Sequence, residues 1–204
     1  MTKIKICGLS RPQDIDAVNE ALPDYIGFVF AASPRRVSHL KAKELRGKLD
    51  SRIHAVGVFV NAPQEEIFKL LDEGVIDVVQ LHGDEDEAYI KTLKSQTNCP
   101  VIKSVRMQSP QQAIDAENLP CDFLLLDTFQ KEVVGGTGKQ FEWSLIPSLS
   151  KPFFLAGGLN AYNLAEAIHF NPYCLDISSG AETNGMKDPD KIKQLVQMVR
   201  RQQQ

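Results

Sequence analysis

Short apolar runs rich in β-branched and aromatic residues alternate with amphipathic stretches along the whole chain. Eight runs stand out: Ile4–Cys7, Tyr25–Phe30, Ala55–Val60, Val78–His82, Val101–Val105, Phe123–Asp127, Phe153–Gly157 and Cys174–Ile177. Their starts lie 21–30 residues apart, room for one strand, one helix and two loops and far too much for hairpins. Apolar residues at helical spacing fill the gaps over Asp14–Leu22, Ser38–Leu49, Pro63–Leu71, Glu85–Ser95, Pro110–Asn118, Ala161–Phe170 and Asp188–Arg200. The spacing Ser10-x-x-Gln13 predicts a capping box for the first helix, and Asn160 an N-cap for the sixth stretch. Only Phe141–Leu149, after the sixth strand, is too short for more than two turns. Such alternation predicts an α/β protein with a parallel sheet, and eight units closing on themselves give a (β/α)8 barrel. An open doubly wound sheet is the alternative, but no GxGxxG follows the first strand.

No linker, low-complexity tract or charge block interrupts the rhythm, so one domain is expected over residues 1–204. A typical barrel of this kind needs ~250 residues, so most loops must be short. The longest, Thr128–Lys139, holds Gly135, Gly136 and Gly138 and reads as a mobile lid or as surface slack. A net charge of −3 argues against a nucleic-acid or anionic-membrane surface. The four cysteines form no CxxC pair and have no ligand spacing with the histidines, so neither disulfides nor a structural metal are expected. The N-terminus lacks an apolar targeting segment and no stretch is long enough to span a bilayer, which predicts a cytoplasmic protein.

Candidate chemistry gathers where strands end. From Lys151 to Gly180 two apolar runs each close on tiny residues, Gly157–Gly158 and Ser178–Ser179–Gly180. Backbone N–H groups left bare in this way can close on an anionic oxygen, and in eight-stranded barrels the loops after strands seven and eight commonly hold a phosphate. The first strand ends in Cys7-Gly8, the fourth in His82-Gly83 and the sixth in Asp127. Cysteine is often only a small buried hydrophobe, but at a strand mouth its thiol can serve as a base. Asp127 ends the run FLLL, where a carboxylate must be hydrogen-bonded or at the mouth; a turn residue is its plain alternative. His82 is either structural or an acid–base group. Arg35 and Arg36, in the loop after the second strand, are surface charges or a carboxylate fork. Strand parity places Lys5 with Cys7 and Asp176 with Ser178, so an interior Lys5–Asp176 ion pair is expected where strands one and eight meet.

The ordered series KICGL at 5–9, GFVF at 27–30, SPRRV at 33–37, GVFVN at 57–61, VQLHG at 79–83, LLLDT at 124–128, GGTGKQFEW at 135–143, LAGGL at 155–159 and DISSGAE at 176–182 resembles the phosphoribosylanthranilate isomerases of tryptophan biosynthesis. The resemblance spans Lys5 to about Lys193. It implies a (β/α)8 barrel that carries out a cofactor-independent Amadori rearrangement of N-(5-phosphoribosyl)anthranilate. By the same resemblance Cys7 is the general base, Asp127 the general acid, and Arg35 (or its neighbour Arg36) the group that meets the anthranilate carboxylate. His82 and Asp176 join the substrate-binding set, while Gly157, Gly158, Ser178, Ser179 and Gly180 hold the phosphate. The expected partner is a small phosphoribosyl substrate, with no metal, nucleic acid or membrane, and the chain works as a monomer or homodimer. The family's usual GKTFDW reads GKQFEW here, and the segment before SPR is about a residue short. Another phosphosugar barrel enzyme and a non-catalytic phosphosugar-binding protein are the competing readings. Within the first, an indole-glycerol-phosphate synthase would be expected to present catalytic lysine and glutamate at the strand mouths; the second would not need Cys7 and Asp127 together.

Overall fold

The structure is a computed structural model that describes residues 1–128 and 143–201. Eight parallel strands form a closed barrel: β1 (Lys3–Cys7), β2 (Tyr25–Val29), β3 (His54–Phe59), β4 (Val78–Leu81), β5 (Val101–Met107), β6 (Phe123–Thr128), β7 (Phe153–Leu155) and β8 (Cys174–Ile177). Each strand pairs with the next, and β8 returns to β1 with Lys5 opposite Asp176. Helices α1 (Pro12–Ala21), α2 (His39–Arg46), α3 (Gln64–Asp72), α4 (Glu87–Gln96), α5 (Pro110–Ala116), α6 (Leu164–Ile168) and α7 (Pro189–Arg201) pack outside. After β6 the described residues hold only a 3-10 turn, Trp143–Leu145; the expected lid lies outside the described residues. A two-stranded antiparallel hairpin, β9 (Glu182–Thr183) and β10 (Met186–Lys187), follows β8.

Strand alternation sorts the core into two layers. Ile4, Ile6, Phe28 and Leu126 join the apolar layer beneath the helices, while Val56, Ile102, Leu125 and Phe154 fill the barrel interior. At its N-terminal end the barrel is plugged by aromatic rings. Tyr25 and Tyr173 meet at their hydroxyls, 3.0 Å apart, and Lys3 Nζ donates to Tyr173 while lying 4.9 Å from that ring's centre. Burial, and then the neighbouring Tyr173, push the Tyr25 hydroxyl's pKa up, so this hydroxyl keeps its proton.

Two caps differ from expectation. Helix α1 starts from Arg11: Asp14 Oδ2 accepts the backbone N–H groups of Ser10 (2.9 Å) and Arg11 (3.0 Å), and the Arg11 guanidinium closes on Asp14 Oδ1. A carboxylate that satisfies two amides and an arginine together outcompetes the Ser10–Gln13 pair. Helix α6 is half the expected length because Asn160 and Asn163 knit the preceding loop. Asn163 Oδ1 accepts from the Asn160 backbone (2.8 Å), Asn160 Oδ1 accepts from that of Tyr162 (2.9 Å), and both side-chain amides donate to the Gly158 carbonyl. Such local side-chain bonds offer the backbone an alternative to the helical ladder. Asn163, not Asn160, is the N-cap residue.

Candidate active site

The C-terminal strand ends enclose a cavity of about 530 Å³, within the range of small-molecule sites. Cys7 stands at its wall with 9 % of its surface exposed. Its register partner on β2 is Gly27, where a Cβ would lie 2.7 Å from the sulfur. The bare α-carbon is what leaves room for the thiol. Burial pushes the Cys7 thiol up; Lys5 pulls it back and Asp176 adds to the rise, leaving a net upward shift. The cation beneath Cys7 therefore tempers the cost of a thiolate without removing it.

Lys5 is fully buried, and its Nζ donates to Asp176 Oδ2 at 2.9 Å, as parity required. It also donates to Gln80 Oε1 at 2.7 Å. Burial by itself would lower the Lys5 pKa, but Asp176 and then Cys7 outweigh it, so the ammonium is held charged. Asp176 Oδ1 is buried without a hydrogen-bond partner among the described residues, and Asp176 lines the cavity. Such an oxygen is an acceptor prepared for a hydroxyl.

Across the barrel, Asp127 at the end of β6 lies with its Oδ2 3.3 Å from His82 Nε2. Gln80 Nε2 lies 3.0 Å from the other ring nitrogen of His82. Arg106, from β5, lines the same cavity beside them.

Arg35 lines the cavity and Arg36 does not. Two nitrogens of the Arg35 guanidinium grip Glu182 on β9, Nε to Oε1 at 2.6 Å and Nη2 to Oε2 at 2.7 Å. Lys187 on β10 donates to Glu182 Oε1 at 2.6 Å and to the Ser178 carbonyl at 2.9 Å. Burial alone would raise the Glu182 pKa, but Arg35 and Lys187 bring it below the usual carboxylate range. The Arg35 stem crosses Gly8, where a Cβ would sit 2.5 Å from Cδ. The hairpin thus fixes the arginine's planar fork over the mouth of β1.

Gly157 and Gly158 adopt positive φ, +86° and +68°, and line the cavity together with Ser178 and Ser179. Gly180 does not line it. A Cβ there would collide with the Leu159 carbonyl, so this glycine lets the two loops approach each other. Sequence reasoning missed Gln80, Arg106, Glu182 and Lys187. Only Gln80 carried a signal, since it shares strand parity with His82 inside the apolar run VVQL.

A closed parallel barrel with bare loops after β7 and β8, and a thiol, a carboxylate and an arginine around one cavity, defines a (β/α)8 barrel enzyme built for a small anionic substrate. Residues 4–198 match the family model of N-(5'-phosphoribosyl)anthranilate isomerase. The chain belongs to that family. It is 49% identical over 201 residues to the isomerase of Endomicrobium trichonymphae, covering 98% of this chain and 99% of that one. The crystal structure of the isomerase from Thermotoga maritima superposes with a TM-score of 0.86 at 33% identity, covering 98% of this chain and 99% of that one. A family structure in complex with reduced 1-(o-carboxyphenylamino)-1-deoxyribulose 5-phosphate superposes with a TM-score of 0.83 at 31% identity, over 98% and 99% of the two chains. The chain is thus an isomerase of tryptophan biosynthesis. No described helix is long and apolar enough to cross a membrane.

Proposed function

We propose that Cys7 and Asp127 are the base and acid of the isomerisation, acting on a substrate held at both ends in this cavity. Asp127 gives its proton to the ribose ring oxygen; the C1–O bond breaks and the anilino nitrogen supplies the electron pair of a C1=N bond. The Cys7 thiolate then takes the proton from C2, and the enolamine that results rearranges to the 2-ketone. Hydrogen moves only within the substrate or through these two groups, so the step balances without an external oxidant or reductant. The phosphate lies against Gly157, Gly158, Ser178 and Ser179, with Gly180 holding the two loops together. The anthranilate carboxylate meets Arg35, whose orientation Glu182 fixes. Asp176 Oδ1 and His82 border the ribose. Binding both remote ends orients the reacting carbons. All groups given a role belong to one chain, so a monomer or a homodimer serves equally, and four unpaired thiols suit the reducing cytoplasm.

The observation that carries this reading is that Cys7 on β1 and Asp127 on β6 open into one cavity, which also holds the bare loops after β7 and β8. Steady-state kinetics on purified variants test it. Cys7→Ala and Asp127→Asn should each lower kcat by at least ~10²-fold with little change in substrate affinity. Asp127→Glu should be damaged less than Asp127→Asn. A variant that keeps near-normal kcat removes its residue from the mechanism.

A further inference from the structure

A row of polar side chains crosses the barrel interior from Asp176 to Asp127, and the order of its donors and acceptors is fixed. Lys5 Nζ has three donors and no acceptor, so the Gln80 atom 2.7 Å away is the carbonyl oxygen Oε1. A reversed amide would set N–H against ammonium. Gln80 Nε2 then points at His82 Nδ1 at 3.0 Å. An amide nitrogen only donates, so Nδ1 accepts and the neutral ring carries its proton on Nε2. That nitrogen faces Asp127 Oδ2 at 3.3 Å, a long approach of the kind that tightens when substrate fills a site. The row is anchored at its buried end, since Lys5 is fully buried on Asp176 and Gln80 is 1% exposed.

We infer that Gln80 is a positioning residue for proton transfer: it selects the Nε2–H tautomer of His82 and so makes His82 a donor to Asp127 Oδ2. The inference rests on the acid role assigned to Asp127 above. Its consequence is a choice between two oxygens. A proton on Oδ2 would oppose the His82 N–H, so the transferable proton resides on Oδ1. As that proton leaves for the ring oxygen, the new carboxylate has the His82 N–H 3.3 Å from Oδ2, poised to become a hydrogen bond where charge develops. The other tautomer would present a lone pair at Oδ2 and oppose the transfer.

Nitrogen-15 NMR of the unliganded wild-type protein, with His82 assigned by the signal lost in His82→Gln, should show the Nε2–H form. An Nδ1–H ring overturns the inference whatever the kinetics. Gln80→Met removes both polar ends at similar volume. It should lower kcat about 10-fold or more while KM stays within about twofold, because its polar ends face Lys5 and His82. His82→Gln offers Asp127 an N–H with no tautomer to select, so it should keep more activity than Gln80→Met. Adding Gln80→Met to His82→Gln should cost little further. Normal kcat in Gln80→Met, or a full second loss in the double variant, sinks the inference. If Asp127→Asn proves active, it is the acid assignment that fails, and the NMR result still decides the tautomer.

Discussion

Gly27 sets the position of the Cys7 sulfur, the base proposed above. An alanine Cβ at that position would lie 2.7 Å from Cys7 Sγ, inside van der Waals contact, and the thiol would have to move. Gly27→Ala should cost about 1–3 kcal/mol of stability as an overpacked site. It should lower kcat by at least about 10-fold, since displacements near 1 Å can cost more than that. A thermal melt together with steady-state kinetics checks both, and an unchanged kcat would show that the sulfur has slack. The thiol's environment makes a second prediction. A thiol base acts as the thiolate, and burial pushes the Cys7 thiol up. The ionised fraction in the free enzyme therefore keeps growing with pH beyond the free-thiol range near ~8.5, and the rate at which iodoacetamide alkylates Cys7, followed by mass spectrometry, should climb with it. An alkylation rate flat from pH ~8.5 upward would contradict the raised thiol.

Among the elements, β1 and β8 depend on each other through one ion pair. Lys5→Met leaves Asp176 and Gln80 Oε1 facing an apolar interior, with an expected loss of about 3–5 kcal/mol. The double variant Lys5→Met/Asp176→Leu, which strands no charge, should lose less; urea denaturation compares them. A double variant at least as damaged as the single would mean that the pair is not what Lys5 is kept for. This pair was legible in sequence because strand alternation and barrel closure are enough to bring the two residues together. The eight strands were legible for a similar reason, each being a dense apolar run at a spacing that only a crossover can fill. Helix limits were not, because Asn160, Asn163 and Asp14 have several backbone groups in reach and the sequence does not say which they take. At the site, Cys7 and Asp127 stood out as polar ends of apolar strands. Glu182 did not, since its grip on Arg35 spans 147 residues and belongs to no local pattern.

For the molecule as a whole, the two barrel ends have different tasks: a ring-packed floor and a polar mouth. Cys174, fully buried between them, links stability to pH. Burial pushes its thiol well above the ordinary value, with Asp176 adding to the rise. The folded protein therefore keeps that proton while the unfolded chain releases it near pH ~8.5. Above that pH the unfolded state binds fewer protons, and stability falls by about 1.4 kcal/mol per pH unit for such a thiol. Burial likewise raises Cys7, Cys99 and Cys121, and they steepen the fall. Denaturation under reducing conditions from about pH 8 to about pH 10 should show the decline, and Cys174→Ala should make it shallower. Equal slopes would remove Cys174 from the effect.

The Lys5–Asp176 bond also runs on a clock, because its partners are 171 residues apart in the chain. At translation rates of 5–20 residues per second, Lys5 is joined to the chain roughly 10–30 s before Asp176. Throughout that interval β1 has no eighth strand to close against, and its lysine has no carboxylate to bury with. A chain arrested before residue 176 has Cys7 without the ion pair beneath it and Arg35 without Glu182. Of the eight barrel strands, β1 is made first and sealed last, and only a chain extended past Glu182 holds both contacts.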